Sequence, residues 1–315
     1  MNEFDAISKF FAPLSFDGLK NDGAVLAVPD GYELVITSDT LNESVHFPDD
    51  ENPQLVAHKA LRVNLSDLAS MGAEPYAYQL NLALPERIDA GWLESFSKAL
   101  KRDQDTFKIK LSGGDTTGTK GPLSISITAM GLVPRGKAIS RNGAKEGDAI
   151  IITGTIGDAT IGLEALLGHG DFEGQEKFLE RYRLPQPRCG LAKILQAHAH
   201  AAIDVSDGLI ADLGHICSWS QLGATLQVKD IPLSEHAHKA VQSGKVKIEK
   251  LLTGGDDYEL AIAVPAAAAD EFCKLAKKAG IPAVQAGIFT KGDGIKVLDE
   301  SGRALVFETV GWQHF

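Results

Sequence analysis

The chain has 315 residues, 44% of them hydrophobic and 23% charged, which supports two packed domains and argues against disorder. Asp and Glu number 42 against 31 Lys and Arg, a net charge of -11 that excludes the basic footprint of a nucleic-acid binder. No segment approaches the roughly 18 consecutive apolar residues of a membrane span.

Helix and strand periods alternate along the chain. "YELVITSDTL" (32–41) predicts a strand that delivers polar residues at its end. "PQLVAHKALRVNLSDLASMG" (53–72) predicts a helix opened by Pro53 and stopped at Gly72, and "AYQLNLALP" (77–85) alternates as a half-buried strand does. "AGWLESFSKALKR" (90–102) is an amphipathic helix, "FKIKLSGGD" (107–115) a strand running into a glycine turn, and "LSISITAMGLVP" (123–134) another strand. The polar, basic, glycine-bearing stretch "RGKAISRNGAKEGD" (135–148) has the texture of a domain linker.

A second series follows: strand "AIIITG" (149–154), a helix near 157–168, a Pro-started helix at 187–199 and strand "AAIDV" (201–205). A helix from about 208, strand "YELAIAV" (258–264), helix 267–280 and short terminal strands complete it. The fold class expected is α/β in two domains, residues 1–138 and 139–315. The string GGD follows a hydrophobic run in both parts ("LSGGDTT", "LTGGDDYE"), which suggests related halves. Cys189, Cys217 and Cys273 form no CxxC pair and read as reduced core thiols, and the acidic start "MNEFDAISKFF" does not read as a secretory signal. A cytoplasmic protein without membrane contact is the expectation.

The chemistry lies in the acids. Asp22, Asp39, Asp67, Asp115, Asp204, Asp207, Asp256 and Asp257 mostly follow strand-like runs and have Gly, Ser or Thr as neighbours instead of Lys or Arg. Singly, each reads as a turn or a helix cap. Together they need a cation to stay ionised side by side, and hard oxygen donors with few His or Cys select Mg²⁺ over zinc. Carboxylate-held Mg²⁺ is the usual companion of phosphoryl transfer. The chain has no GxxxxGK[ST] loop, no protein-kinase motif set and no GxSxG elbow.

The strings "NDGAVLAVP", "VITSDTLNESVHF", "VNLSDLASMGA", "GGDTT", "SRNGAKEGD", "IDVSDGLIADLGHI", "GGDDYEL" and the closing "GWQHF" resemble the thiamine-monophosphate kinase family, in order, from about residue 20 onward. That family belongs with aminoimidazole ribonucleotide synthetase in one ATP-using superfamily. The resemblance implies an N-terminal α/β domain whose mixed sheet pairs across a homodimer, followed by a C-terminal α/β domain. It implies a phosphotransferase with a phosphate acceptor, converting thiamine monophosphate and ATP to thiamine diphosphate and ADP by direct attack on the γ-phosphorus. Carried over by motif, Asp22, Asp39, Asp67, Asp115, Asp204 and Asp207 would hold several Mg²⁺ ions. Thr37, Ser38 and Ser206 would join as oxygen ligands or nucleotide contacts. Gly114, Asp115 and Arg141 would contact ATP phosphates, while His46, Asp256 and Trp312 would meet the thiamine end. No side chain need act as a strong base, because the nucleophile is already a phosphate anion.

Two departures stand out: "NDG" keeps one acid where the family commonly shows GDD, and Asp256 stands where the family usually has Glu. A selenophosphate synthetase would show a reactive N-terminal Cys, and the hydrogenase-maturation relative a C-terminal Cys; this sequence shows neither. The "VHF" and "GWQHF" strings favour the thiamine enzyme over the synthetase. A non-catalytic metal or nucleotide binder fits poorly with acids spread over both halves.

Overall fold

The computed structural model describes residues 3–312. The chain forms two compact units. The first comprises the chain up to Leu68 with Ala73–Gly136, and the second comprises Ala69–Gly72 with the chain from Lys137 onward.

In the first unit, α1 (Glu3–Ala6) precedes β1 (Tyr32–Asn42), α2 (Pro53–Ser70), β2 (Glu74–Pro85), α3 (Ala90–Phe107), β3 (Lys110–Thr119) and β4 (Ser124–Pro134). The strands make one mixed sheet in the order β1-β4-β2-β3, antiparallel except where β3 runs parallel to β2. Its two faces differ because side chains alternate along each strand. Val35, Leu41, Ile125, Ile127, Tyr78, Leu80 and Leu82 are buried on one face, with the buried residues of α2 and α3. The other face carries Ser38, Thr40, Ser126, Thr128, Gln79 and Asn81. Ile36 lies among them at 59% exposure. The Asp89 side chain caps α3 by accepting the Trp92 N–H at 2.8 Å.

The sequence predicts a glycine turn after 111, yet β3 runs through the glycines to Thr119. Tyr78 pairs with Leu111 and Gln79 with Gly113, so Ser112 is an extra residue in the ladder, a β-bulge. A Cβ on Gly114 would lie 1.8 Å from the Leu80 carbonyl oxygen. Gly114 therefore permits close strand pairing, and the glycines do not end the strand.

The second unit contains β5 (Ala149–Thr153), α4 (Asp158–Leu166), α5 (Gln175–Arg183), α6 (Ala192–His198), β6 (Ala201–Asp204), α7 (Leu209–Ser220) and β7 (Gly223–Gln227). It continues with α8 (Glu235–Gln242), α9 (Ile248–Thr253), β8 (Leu260–Val264), α10 (Ala269–Lys278), β9 (Ala283–Thr290) and β10 (Ile295–Leu298). Six strands pair in the order β10-β7-β9-β5-β8-β6. The apolar runs of β5 and β8 are buried throughout, as strands covered on both faces should be. Ile150 and Ile152 join Leu209, Leu213 and Ile216 of α7 in one cluster. Ala149 and Ile151 join Leu195 of α6 and Phe272 of α10 in another.

The two GGD strings are not equivalent in structure, for the first lies within β3 and the second in the loop before β8. The halves also differ in strand number and order, so their suggested kinship as repeats is not visible in the topology. Of the three free cysteines, Cys217 alone is fully buried. Among the described residues no helix is long and apolar enough to cross a membrane.

Candidate active site

In the first unit, the side chains expected to bind metal fall in two places. Asn64 and Asp67 lie three residues apart on one face of α2. The Asn64 side-chain oxygen accepts the Asp39 N–H at 3.1 Å, satisfying a donor of the edge strand β1, and the Thr37 hydroxyl donates to the Asp67 carboxylate. Thr37, Asp39 and Asp67 thus gather on the helix side of the sheet. Ser38 does not join them. Its hydroxyl lies on the opposite face, against the Ile127 carbonyl and the Thr128 hydroxyl.

Asp22 and Asp115 line a second place, a cavity of about 420 Å³ shared with Asp17, Gln79, Asn81, Gly113 and Gly114. No Lys or Arg lines it. The Asp115 carboxylate accepts the Thr116 N–H at 2.8 Å. Asp39 pairs with Ile127, Ile127 with Leu80, and Leu80 with Gly114. The two places are therefore three strand spacings apart, about 14 Å.

His46 closes the turn after β1. Its Nδ1 accepts the Asn42 N–H at 2.9 Å, which leaves Nε2 as the protonated nitrogen in the neutral ring, and the Lys59 ammonium donates to its carbonyl at 3.0 Å.

In the second unit, Asp204 ends β6 and is 3% exposed. The chain then turns through Ser206, Asp207 and Gly208 into α7. The sequence predicts that Asp207 opens this helix, but the cap position is Gly208, which has no side chain to offer. The Asp212 carboxylate, in the first turn of α7, reaches back instead to hold the turn itself, accepting the N–H groups of Ser206 (3.0 Å), Asp207 (3.0 Å) and Gly208 (3.1 Å). Asp212 is raised to about 7, chiefly by burial, with the Asp207 N–H pulling against that rise and the Asp207 charge adding to it.

The GGDD loop lies beside this turn. Asp256 donates its N–H to the Ser206 carbonyl and Tyr258 to that of Val205, each at 2.8 Å. Trp312 donates its N–H to the Asp207 carbonyl at 3.0 Å, and its side chain is 56% exposed. Ser206, Asp207, Asp256 and Trp312 are thus brought together by main-chain bonds. Arg141 is exposed, and its carbonyl accepts the Ser220 hydroxyl at 3.3 Å. Lys145 and Asp148 anchor the same segment: Asp148 accepts the Lys145 N–H and binds the His200 ring, both at 2.8 Å.

Sequence reasoning did not assign Asp212, Glu259, Arg181 or Arg188. Asp212 was detectable as an acid in the first turn of an apolar helix. Glu259 and its arginines gave no local signal, since 71 and 78 residues separate the partners.

Residues 20–133 match the family model described as AIR synthase related protein, N-terminal domain, and residues 145–300 match its C-terminal domain. The sequence is 40% identical to the thiamine-monophosphate kinase of Caulobacter vibrioides over 99% of this chain and 90% of that one. The chain belongs to the thiamine-monophosphate kinase family. Among solved structures, it is similar to thiamine-monophosphate kinase from Stenotrophomonas maltophilia K279a, with a TM-score of 0.82 and 39% identity over 91% of this chain and 90% of that one. It is also similar to AaThiL complexed with AMPPCP and TMP, with a TM-score of 0.80 and 31% identity over 92% and 89% of the two chains. Every motif quoted from the sequence lies within the described residues, apart from the last three residues of "GWQHF".

Proposed function

We infer that the chain is a kinase of thiamine diphosphate biosynthesis, transferring the ATP γ-phosphate to thiamine monophosphate. The observation that carries this reading is near-full-length similarity to thiamine-monophosphate kinases, a structure holding AMPPCP and TMP among them.

The donor set suits Mg²⁺. Asp67 with Thr37, and Asp22 with Asp115, are all hard oxygen donors. Among the described residues no group of three His, Cys, Asp or Glu side chains is gathered to hold a metal. A pair of carboxylates is the usual protein share of a Mg²⁺ site that substrate phosphates complete. We assign Asp22, Thr37, Asp39, Asp67, Asp115, Asp204 and Asp207 to several Mg²⁺ ions, with Ser38 reaching one only through its main chain. When bound, these ions would neutralise charge on the phosphates being brought together.

The chain's own groups do the rest. Gly114, Asp115, Arg141 and Ser206 are assigned to ATP, where Arg141 offers a fork suited to phosphate oxygens. His46 presents its Nε2–H and Asp256 its carboxylate to the thiamine end. The exposed Trp312 ring gives a cationic thiazolium a face worth roughly 0.5–2 kcal/mol. No general base is required, since the attacking oxygen belongs to an ionised phosphate. The exposed Tyr32 and Ile36 on β1 support pairing of the first unit's sheet in a homodimer, and a cytoplasmic location completes the reading.

Incubating the protein with thiamine monophosphate, ATP and Mg²⁺, and resolving the products by chromatography, tests the function. Equimolar thiamine diphosphate and ADP are expected. ADP formed only with another acceptor would sink the reading.

A further inference from the structure

The GGDDYE segment has an unusual backbone. Asp256 has φ +70° and Tyr258 has φ +50°, two left-handed residues within three, neither of them glycine. Asp tolerates this region, whereas Tyr is an outlier there. Such a shape persists only where the surroundings over-determine it.

Those surroundings act from two flanks. On one flank the main-chain bonds to Val205 and Ser206 hold the segment against the turn that carries Asp207. On the other flank the alternate side chains Asp257 and Glu259 are anchored. Asp257 accepts the Gly157 N–H at 2.7 Å, at the start of α4. Glu259 is fully buried and receives the Thr153 hydroxyl at 2.7 Å.

Two guanidinium groups converge on Glu259. Arg188 engages both carboxylate oxygens, its Nε at 2.6 Å from Oε2, in the fork geometry that suits arginine. Arg181, from the last turn of α5, donates to Oε1 at 2.8 Å and also to the Asp257 carbonyl at 3.0 Å. That second bond fixes the residue adjoining Asp256. The space for the carboxylate is reserved as well, since a Cβ on Gly154 (φ +55°) would lie 2.0 Å from Glu259 Oε1. Two cations on one carboxylate exceed what anchoring the start of β8 requires, because β8 already pairs with β5 and β6.

We propose that Arg181 and Arg188, acting through Glu259 and the Asp257 carbonyl, are positioning residues that hold the Asp256 carboxylate toward the thiamine end of the substrate. This rests on the assignment of Asp256 to that substrate. Asp256 is assigned to the thiamine end alone, so the two Michaelis constants should separate.

Steady-state kinetics with each substrate varied in turn provide the test. Arg188→Gln is expected to raise KM for thiamine monophosphate about tenfold and Arg188→Lys about threefold, with KM for ATP changed less than about twofold. Added to Asp256→Asn, Arg188→Gln should raise KM for thiamine monophosphate no further, because both changes disable one contact. Equal rises in both Michaelis constants, or multiplicative effects in the double variant, would overturn the inference. Arg188→Lys keeps the charge and decides by the same criteria if Arg188→Gln does not fold. A silent Asp256→Asn would refute the Asp256 contact and this inference together. An effective Asp256→Asn beside silent Arg188 variants would refute the inference alone.

Discussion

Asp115 on β3 and Asp212 in the first turn of α7 are both acids beside the site, yet they should fail in opposite ways. Asp115 is exposed at the cavity edge, where its carboxylate accepts the N–H of Thr116. Asp115→Ala should therefore change unfolding free energy by less than about 0.5 kcal/mol. Turnover should fall at least about 100-fold, since even the residues that support a metal ligand cost up to that much. Kinetics beside urea unfolding checks this, and near-native activity would remove Asp115 from the ligand set. Asp212 is buried and holds three amides. Asp212→Ala should cost about 1–3 kcal/mol in the same unfolding experiment, the range for leaving buried hydrogen-bonding groups unsatisfied. A shift below about 1 kcal/mol would mean that the turn holds itself. What the sequence disclosed at this scale was the set of acids beside small residues. It also contained an unused clue, for in a strand Ser38 must point away from Thr37 and Asp39. It could not disclose that Asp212 ties down the N–H groups of residues 206–208, because that depends on how a short turn curls around a residue five positions ahead.

At the scale of elements, α2 carries Asn64 and Asp67 and is held to α3 by a buried ion cluster. His58 and Arg62, one turn apart on α2, both bond the Asp103 carboxylate on α3, His58 through Nδ1 at 2.8 Å and Arg62 through Nε at 3.0 Å and Nη2 at 2.8 Å. The Arg62 guanidinium also lies 5.5 Å from the centre of the Phe107 ring. Burial alone would raise the Asp103 pKa, but the hydrogen bonds from His58 and Arg62 outweigh it and hold the carboxyl below its usual range. A depressed carboxyl contributes stability that is fully present above its unfolded value of about 3.9 and fades as pH falls through the folded value. Asp103→Ala should cost about 3–5 kcal/mol near neutrality, because it removes the carboxylate from a buried ion pair. It should also flatten the acid limb of a stability-versus-pH curve measured by urea unfolding. An unchanged acid limb would show that other carboxyls govern it. The helices and strands themselves were largely readable from hydrophobic period. α5, β7, α8 and α9 were not read from it, and β3 was cut short because its glycines mimic a turn. The reason they do not make one, the Leu80 carbonyl pressed against Gly114, is supplied by a different strand.

For the whole molecule, ligand and partner should both leave a mark on solution behaviour. ATP with Mg²⁺ at about 100 times its dissociation constant should stabilise the folded state by about 2.7 kcal/mol, seen as a raised thermal midpoint. Chelating the metal should abolish most of that rise, and a rise unaffected by chelation would argue that the acids do not act through a cation. Sedimentation should give the mass of a dimer, and Ile36→Lys should shift it toward the monomer. A dimer indifferent to that change would place the interface elsewhere.

The second unit also includes four residues from far upstream, Ala69–Gly72. Ile139 donates its N–H to the Met71 carbonyl at 3.0 Å, and the Gln196 side chain donates to the Gly72 carbonyl at 2.7 Å. The family matches at 20–133 and 145–300 invite cutting the chain into two cassettes, but a single cut cannot yield both units whole. A fragment starting near 139 would lose two acceptors. Supplying it with a peptide of residues 60–76 should restore part of its stability, so that one helix end would serve as a detachable splint for the other half.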